Sequence, residues 1–154
     1  MSALIVSDST CLIGLHRIGR TNVLTGLFTT IHIPFAVHNE VGFLQPWMKV
    51  EGVQDLLLLA ALETQLDRGE AEAIALAAER KADLLILDEK KGRRIAREMG
   101  LRISGTIGLL VRARREGIIP ACRPLLDALE DAHFHISPAL RAEALRLAGE
   151  SDSP

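Results

Sequence analysis

Leu4-Ile5-Val6-Ser7-Asp8-Ser9-Thr10-Cys11-Leu12-Ile13 decides the fold. A short apolar run ends in a carboxylate, and a helical pattern starts at once behind it, with Leu12, Ile13, Leu15 and Ile18 spaced to face inward. Leu84-Leu85-Ile86-Leu87-Asp88 repeats the arrangement ahead of a basic helical stretch, Lys90–Met99. A carboxylate just past the C-terminal end of a buried parallel strand lies in the crevice where α/β sheets bind ligands.

Working outward, strands are predicted over Leu4–Ser7, Thr30–Ile33, Asp83–Leu87 and Leu101–Ile103, with room for a short edge strand between Gly42 and Gly52. Helices are predicted from Ser9 to about Gly19, and over Thr21–Phe28, Leu56–Leu66, Lys90–Met99, Thr106–Glu116, Pro120–Ala132 and Ser137–Ala148. Two more start at Pro34 and Gly69, with Pro34 at a first helical position and Glu40 on the helix it opens. Alternating strands and helices predict a three-layer α/β/α fold with a mainly parallel central sheet. The domain is expected to span 1–149, with 150–154 a frayed tail.

Asp8, Glu40, Glu70 and Asp88 all fall where strands hand over to helices or at helix starts. Two carboxylates about 4 Å apart repel by roughly 4 kcal/mol at an effective dielectric of 20, so a cluster of four calls for a cation. Mg²⁺ or Mn²⁺ suits it, because both are hard ions that prefer oxygen ligands. Glu70 and Glu72 also have a plainer explanation, since acids in a first helical turn favour the macrodipole. They lie roughly 200° apart on a helix, so both cannot face one pocket equally.

The 154 residues are 48% hydrophobic and 25% charged, enough for one buried core and unlike a disordered chain. The longest apolar run, Leu56–Leu62, is too short to span a bilayer, so no membrane association is expected. No basic and apolar leader precedes the first strand, and the cytoplasm is the expected compartment. Cys11 and Cys122 lack zinc-like spacing and read as buried small apolar residues. His133-Phe134-His135 is an isolated pair of imidazoles without neighbouring nitrogen or sulfur ligands.

The net charge of −2 conceals segregation: residues 80–115 carry eleven basic and four acidic side chains, a net of +7. Lys90, Arg93, Arg94 and Arg97 share one helix face beside Asp88, a stripe suited to a phosphate backbone. Only five residues are Phe, Trp or Tyr, and they are scattered, which favours backbone contacts over base-stacking platforms. The plain alternative for each cation is a solvated helix face.

The run Ile5-Val6-Ser7-Asp8-Ser9-Thr10, with His38-Asn39-Glu40-Val41, Gly69-Glu70-Ala71-Glu72-Ala73-Ile74, Leu87-Asp88-Glu89 with Gly92-Arg93, and Gly105-Thr106-Ile107-Gly108, resembles the PIN-domain nucleases, in particular a prokaryotic branch related to VapC-type toxins. The resemblance covers roughly residues 3–149. It implies a divalent-metal-dependent ribonuclease, with Asp8, Glu40, Glu70 and Asp88 as the catalytic and metal-holding acids. It further implies RNA or single-stranded DNA as partner and a toxin–antitoxin pairing with an antitoxin protein; a homodimer or a partner helix is expected instead from the apolar C-terminal helices. The toxins usually carry Asp where Glu70 stands, and a further acid common in them has a counterpart here only in Glu89. Ser9 and Thr106 are candidate contacts to substrate or pocket oxygens, or else helix caps, and Arg93, Arg94 and Arg97 are candidate phosphate contacts.

Other classes fit less well. A haloacid-dehalogenase-like phosphatase needs an Asp where Thr10 stands, and a receiver domain needs an acidic pair after its first strand. The serious rival is a nucleic-acid-binding or partner-binding module with an inactive site, in which the basic segment acts and the acids are remnants.

Overall fold

The computed structural model describes residues 3–150. Five strands form one parallel sheet in the order β3-β2-β1-β4-β5, flanked by helices. In chain order the elements are β1 (Ile5–Ser7), α1 (Ser9–Arg17), α2 (Asn22–Leu27), β2 (Ile31–Pro34), α3 (Phe35–Val41), β3 (Met48–Glu51) and α4 (Leu56–Glu63). They continue with α5 (Arg68–Arg80), β4 (Leu84–Ile86), α6 (Lys90–Glu98), β5 (Ile103–Ser104), α7 (Thr106–Arg115), α8 (Arg123–Asp131) and α9 (Pro138–Leu147).

The apolar runs become the core. Ile5, Val6, Ile31, Ile33, Leu85 and Ile86 are buried, as a sheet covered on both faces requires. Each such side chain stabilises the fold by about 1.5–3 kcal/mol through the apolar area it removes from water. The central helix α5 packs on β1, β2 and β4. Its Ala71, Ala73, Ala75 and Ala77 are fully buried, so small side chains allow a close approach.

Several boundaries move. Pro34 ends β2 and caps α3 instead of occupying its first turn. The fifth strand is Ile103–Ser104, starting two residues and ending one residue later than predicted. The helix predicted from Pro120 starts at Arg123, with Pro124 in its first turn. Glu150, assigned to a frayed tail, instead accepts hydrogen bonds from the Cys122 and Arg123 amides at 2.7 and 3.1 Å, satisfying donors at the start of α8. Residues 151–154 of that predicted tail lie outside the described residues.

The topology reverses direction between β1 and β4. From β1 the chain proceeds outward to β2 and β3, then returns to place β4 on the other side of β1. Such a switch point opens a crevice at the C-terminal ends of the two strands. Ser7 pairs with Ile86, and the Asp8 amide donates to the Ile86 carbonyl at 2.9 Å. Asp8 and Asp88 therefore both emerge at this crevice.

Candidate active site: an acidic pocket at the sheet's switch point

Asp8 caps α1 by position, yet its side chain makes no capping hydrogen bond. It is 5% exposed and faces other carboxylates. Burial, foremost, raises its pKa to about 7; the Ser9 amide opposes this, and the charges of Glu40, Asp67 and Asp88 add to it. Glu70, in the first turn of α5, is likewise raised to about 7, by burial and then by Asp67, Asp8, Glu89 and Glu40. The mutual influence of these side chains places them in one electrostatic neighbourhood. No salt bridge involves Asp8, Glu40, Glu70 or Asp88 among the described residues.

Asp88 is held from the neighbouring strand's exit. Its Oδ1 accepts from the Thr106 amide at 2.8 Å and its Oδ2 from the Thr106 hydroxyl at 2.7 Å. The carboxylate thus sits at the N-terminus of α7, where the macrodipole favours negative charge. Burial still raises its pKa, against the opposing pull of Thr106 and Arg93. Thr106 does not cap α7 with its side chain; its hydroxyl donates to Asp88 and keeps its acceptor lone pairs. The Cys11 thiol lies beneath, fully buried and pushed up to about 12 by desolvation, which leaves it an inert apolar group.

Ser9 donates to Glu40 Oε2 at 3.1 Å, tying α1 to the acid on α3. Of its two predicted roles, contact to a pocket oxygen is the one observed. Glu72 takes a different part from Glu70. Its Oε1 accepts from the Ala36 amide at 3.1 Å and its Oε2 from Arg68 Nε at 2.8 Å, so it caps α3 and belongs to the packing. Arg93 also departs from the predicted stripe: it is half-buried and donates to the Leu87 carbonyl at 3.0 Å. Lys90, Arg94 and Arg97 remain exposed.

Three residues of the site were missed by sequence reasoning. Asp67 caps α5, its Oδ1 accepting from the Glu70 amide at 2.9 Å, and its charge raises both Asp8 and Glu70. A β-carbon on Gly69 would collide with Glu40 Oε1 and stand 3.5 Å from Asp8 Oδ1. One on Gly105 would stand 2.9 Å from Asp88 Oδ1. Both glycines keep room for carboxylates. Asp67-Arg68-Gly69 reads as a helix interruption, and the Asp-to-Glu70 spacing was its available signal as a cap.

These oxygen donors suit a hard divalent cation. As the side chains stand, no three or more His, Cys, Asp or Glu are already arranged to hold an ion among the described residues. Thr106 engages both oxygens of Asp88, and Ser9 engages Glu40, and each oxygen keeps a further lone pair. Glu70 and Asp88 open into a cleft of about 640 Å³ that continues along α1, with Glu89 and Lys90 at its edge.

A family model described as a PIN domain matches residues 4–150. The chain belongs to the PIN-domain family, and with it to a nuclease-type fold whose members usually use divalent metals. No curated protein matches the chain. No helix among the described residues is long and apolar enough to cross a membrane.

Proposed function

We propose that this PIN domain is an endoribonuclease dependent on Mg²⁺ or Mn²⁺, with Asp8, Glu40, Glu70 and Asp88 as the metal-holding carboxylates. The observation that carries the proposal is the state of Asp8: a buried carboxylate beside Glu40, Asp67 and Asp88, with no salt bridge to it among the described residues. The crevice position of Asp8 and Asp88 and the family's nuclease character support the same reading.

Within it, Asp8 and Asp88 are the fixed ligands, one buried and one clamped by Thr106. Glu40 and Glu70 stand on helices and have longer side chains that can close on an ion. A bound divalent ion supplies a water of lowered pKa and offsets charge on the phosphoryl and leaving oxygens. The protein's share is to orient that water by carboxylate hydrogen bonds and to hold the strand. Lys90, Arg94 and Arg97 are proposed phosphate contacts; Arg93 is a positioning residue for the turn that carries Asp88. No side-chain nucleophile is needed.

The resemblance to VapC-type toxins motivates the further proposal of a toxin paired with an antitoxin protein. Exposed apolar side chains, Phe35, Leu44, Leu56 and Leu57, support a protein partner or a second copy of the chain. The rival reading, an inactive binding module, draws on Thr106 occupying both Asp88 oxygens. Single-stranded RNA incubated with Mn²⁺ separates the two. The nuclease cuts with wild type and not with Asp88→Asn, and equal cutting by both proteins would end the proposal.

A further inference from the structure

The cleft lined by Glu70 and Asp88 is lined also by His133-Phe134-His135, the imidazole pair that no acid chemistry absorbs. Its inner wall is one face of α1, with Thr10, Ile13, Gly14 and Arg17 at helical spacing. Its outer wall is the α8–α9 loop, and Ile107 and Leu140 add apolar surface. At about 640 Å³ it falls within the range of small-ligand sites. Its lining combines carboxylates, apolar side chains and imidazoles, with Arg17 and Lys90 bringing positive charge.

The loop is held in a fixed shape. The Phe134 amide donates to the Leu129 carbonyl at 2.8 Å and the His133 amide to the Glu130 carbonyl at 3.0 Å. This is the Schellman pattern of helix termination, with Phe134 and Leu129 both settling against Gly14. The left-handed residue of that pattern is usually glycine, yet here it is His133, at φ +68°. A β-carbon is strained at that φ, so the imidazole is kept where the backbone alone favours its removal. A strained residue at the wall of a cleft that opens on an acidic centre points to a ligand.

We propose that this cleft is a base-binding subsite for a nucleotide adjoining the scissile phosphate of single-stranded RNA, with His133 and His135 contacting the base. The inference rests on the nuclease reading for the position of that phosphate. A nucleobase has a flat π face for the imidazoles and Phe134, and an apolar body for Ile13 and Leu140. Its phosphates are met by Arg17 and Lys90, while the carboxylates repel them unless a cation intervenes. His133 and His135 are thereby specificity-determining residues, outside the acid chemistry.

The test uses short single-stranded RNAs whose bases are removed one at a time. Affinity is measured for protein carrying Asp8→Asn, which leaves the RNA whole and does not alter the cleft lining. Removing the base at one position is expected to weaken binding about tenfold, the scale of a single base–aromatic stack. In the same protein carrying His133→Gly and His135→Ala, that penalty is expected to vanish. His133→Gly relieves the left-handed strain, so the melting temperature should hold or rise and misfolding cannot account for the loss. A profile without a base-dependent position, or a penalty that persists in the double variant, overturns the subsite. Cutting by protein with Asp8 intact is scored separately. A base-dependent profile without cutting removes the nuclease reading and keeps a base-binding cleft, whereas cutting with a flat profile removes the cleft alone.

Discussion

Two acidic places on the same edge of the sheet solve the problem of buried charge differently. Glu51 closes β3 and is compensated within the chain: His32 Nδ1 lies 2.6 Å and Lys49 Nζ 3.5 Å from its Oε1, and Arg80 pairs with its Oε2. Burial foremost, then Arg80 and Lys49, lowers the pKa of His32, so its bond to Glu51 at neutral pH is a hydrogen bond from a neutral ring. Asp8, just past β1, has carboxylate neighbours instead, and its own pKa is pushed up to about 7. The difference teaches where to look for function. An acid matched by cations of its own chain is part of the scaffold, and a buried acid surrounded by further acids is waiting for something the chain does not contain.

The largest expected effect breaks the comparison open. Asp8→Asn should lower RNA cleavage on the order of 10²–10³-fold, the scale seen when one electrostatic stabiliser of a transition state is lost. Its metal-free melting temperature should hold or rise, because Asn keeps the shape and removes repulsion. Glu51→Gln should do the reverse, leaving cleavage alone and costing about 1–3 kcal/mol of stability by weakening a partly buried charge network. Cleavage rates and denaturant melts of the two variants check both halves, and a rate loss in Glu51→Gln would show that the edge is one functional unit.

Glu72 sharpens the contrast within a single helix. Glu72→Gln should cost about 1–2 kcal/mol, because the Ala36 amide and Arg68 lose a charged acceptor. Its Mn²⁺ affinity should match wild type, and Glu70→Gln should lose affinity instead. A metal titration of the pair reads this directly.

The pH dependence follows from the raised acids. Asp8 moves from 3.8 and Glu70 from 4.5 to about 7, so the native protein binds more protons than the unfolded chain between those limits. Their contribution to stability is fully present below about pH 4 and is lost as pH rises through about pH 7. Metal-free protein should therefore lose stability across that window more steeply than Asp8→Asn does. Parallel stability–pH curves for the two proteins would contradict the buried cluster.

The smallest effect concerns Arg94 and Arg97. Removing either should flatten the salt dependence of RNA binding by about 0.7 in log–log slope, one phosphate contact on a single strand. Base preference should be unaltered, because phosphate contacts carry no sequence information directly. Affinities at several salt concentrations check it, and an unchanged slope would return both residues to a solvated helix face.

Strand-end acids were legible because a hydrophobic run and the carboxylate closing it are adjacent in sequence. A mainly parallel sheet followed from alternating strands and helices, whereas its strand order, and so the switch point between β1 and β4, did not. Side-chain direction was not legible. Whether Glu70 or Glu72 enters the pocket depends on an amide at Ala36, and Arg93 turns inward to a carbonyl in the preceding strand exit. Gly69 and Gly105 carry no local sign of the carboxylates pressed against them, since those arrive from α3 and from beyond β4. Glu150 looked like tail because its partners, Cys122 and Arg123, lie far back in the chain. Contacts between distant segments are set by packing, and periodicity reports only on neighbours.

The central claim is that the acids at the switch point hold a divalent cation. Calorimetric titration of metal-free protein with Mn²⁺ tests it most directly, alongside thermal melts at a hundred times the dissociation constant. Wild type should bind and gain about 2.7 kcal/mol of stability there, while Asp8→Asn and Asp88→Asn lose most of both and Glu51→Gln retains the binding. Equal Mn²⁺ binding by wild type and both aspartate variants would contradict the account.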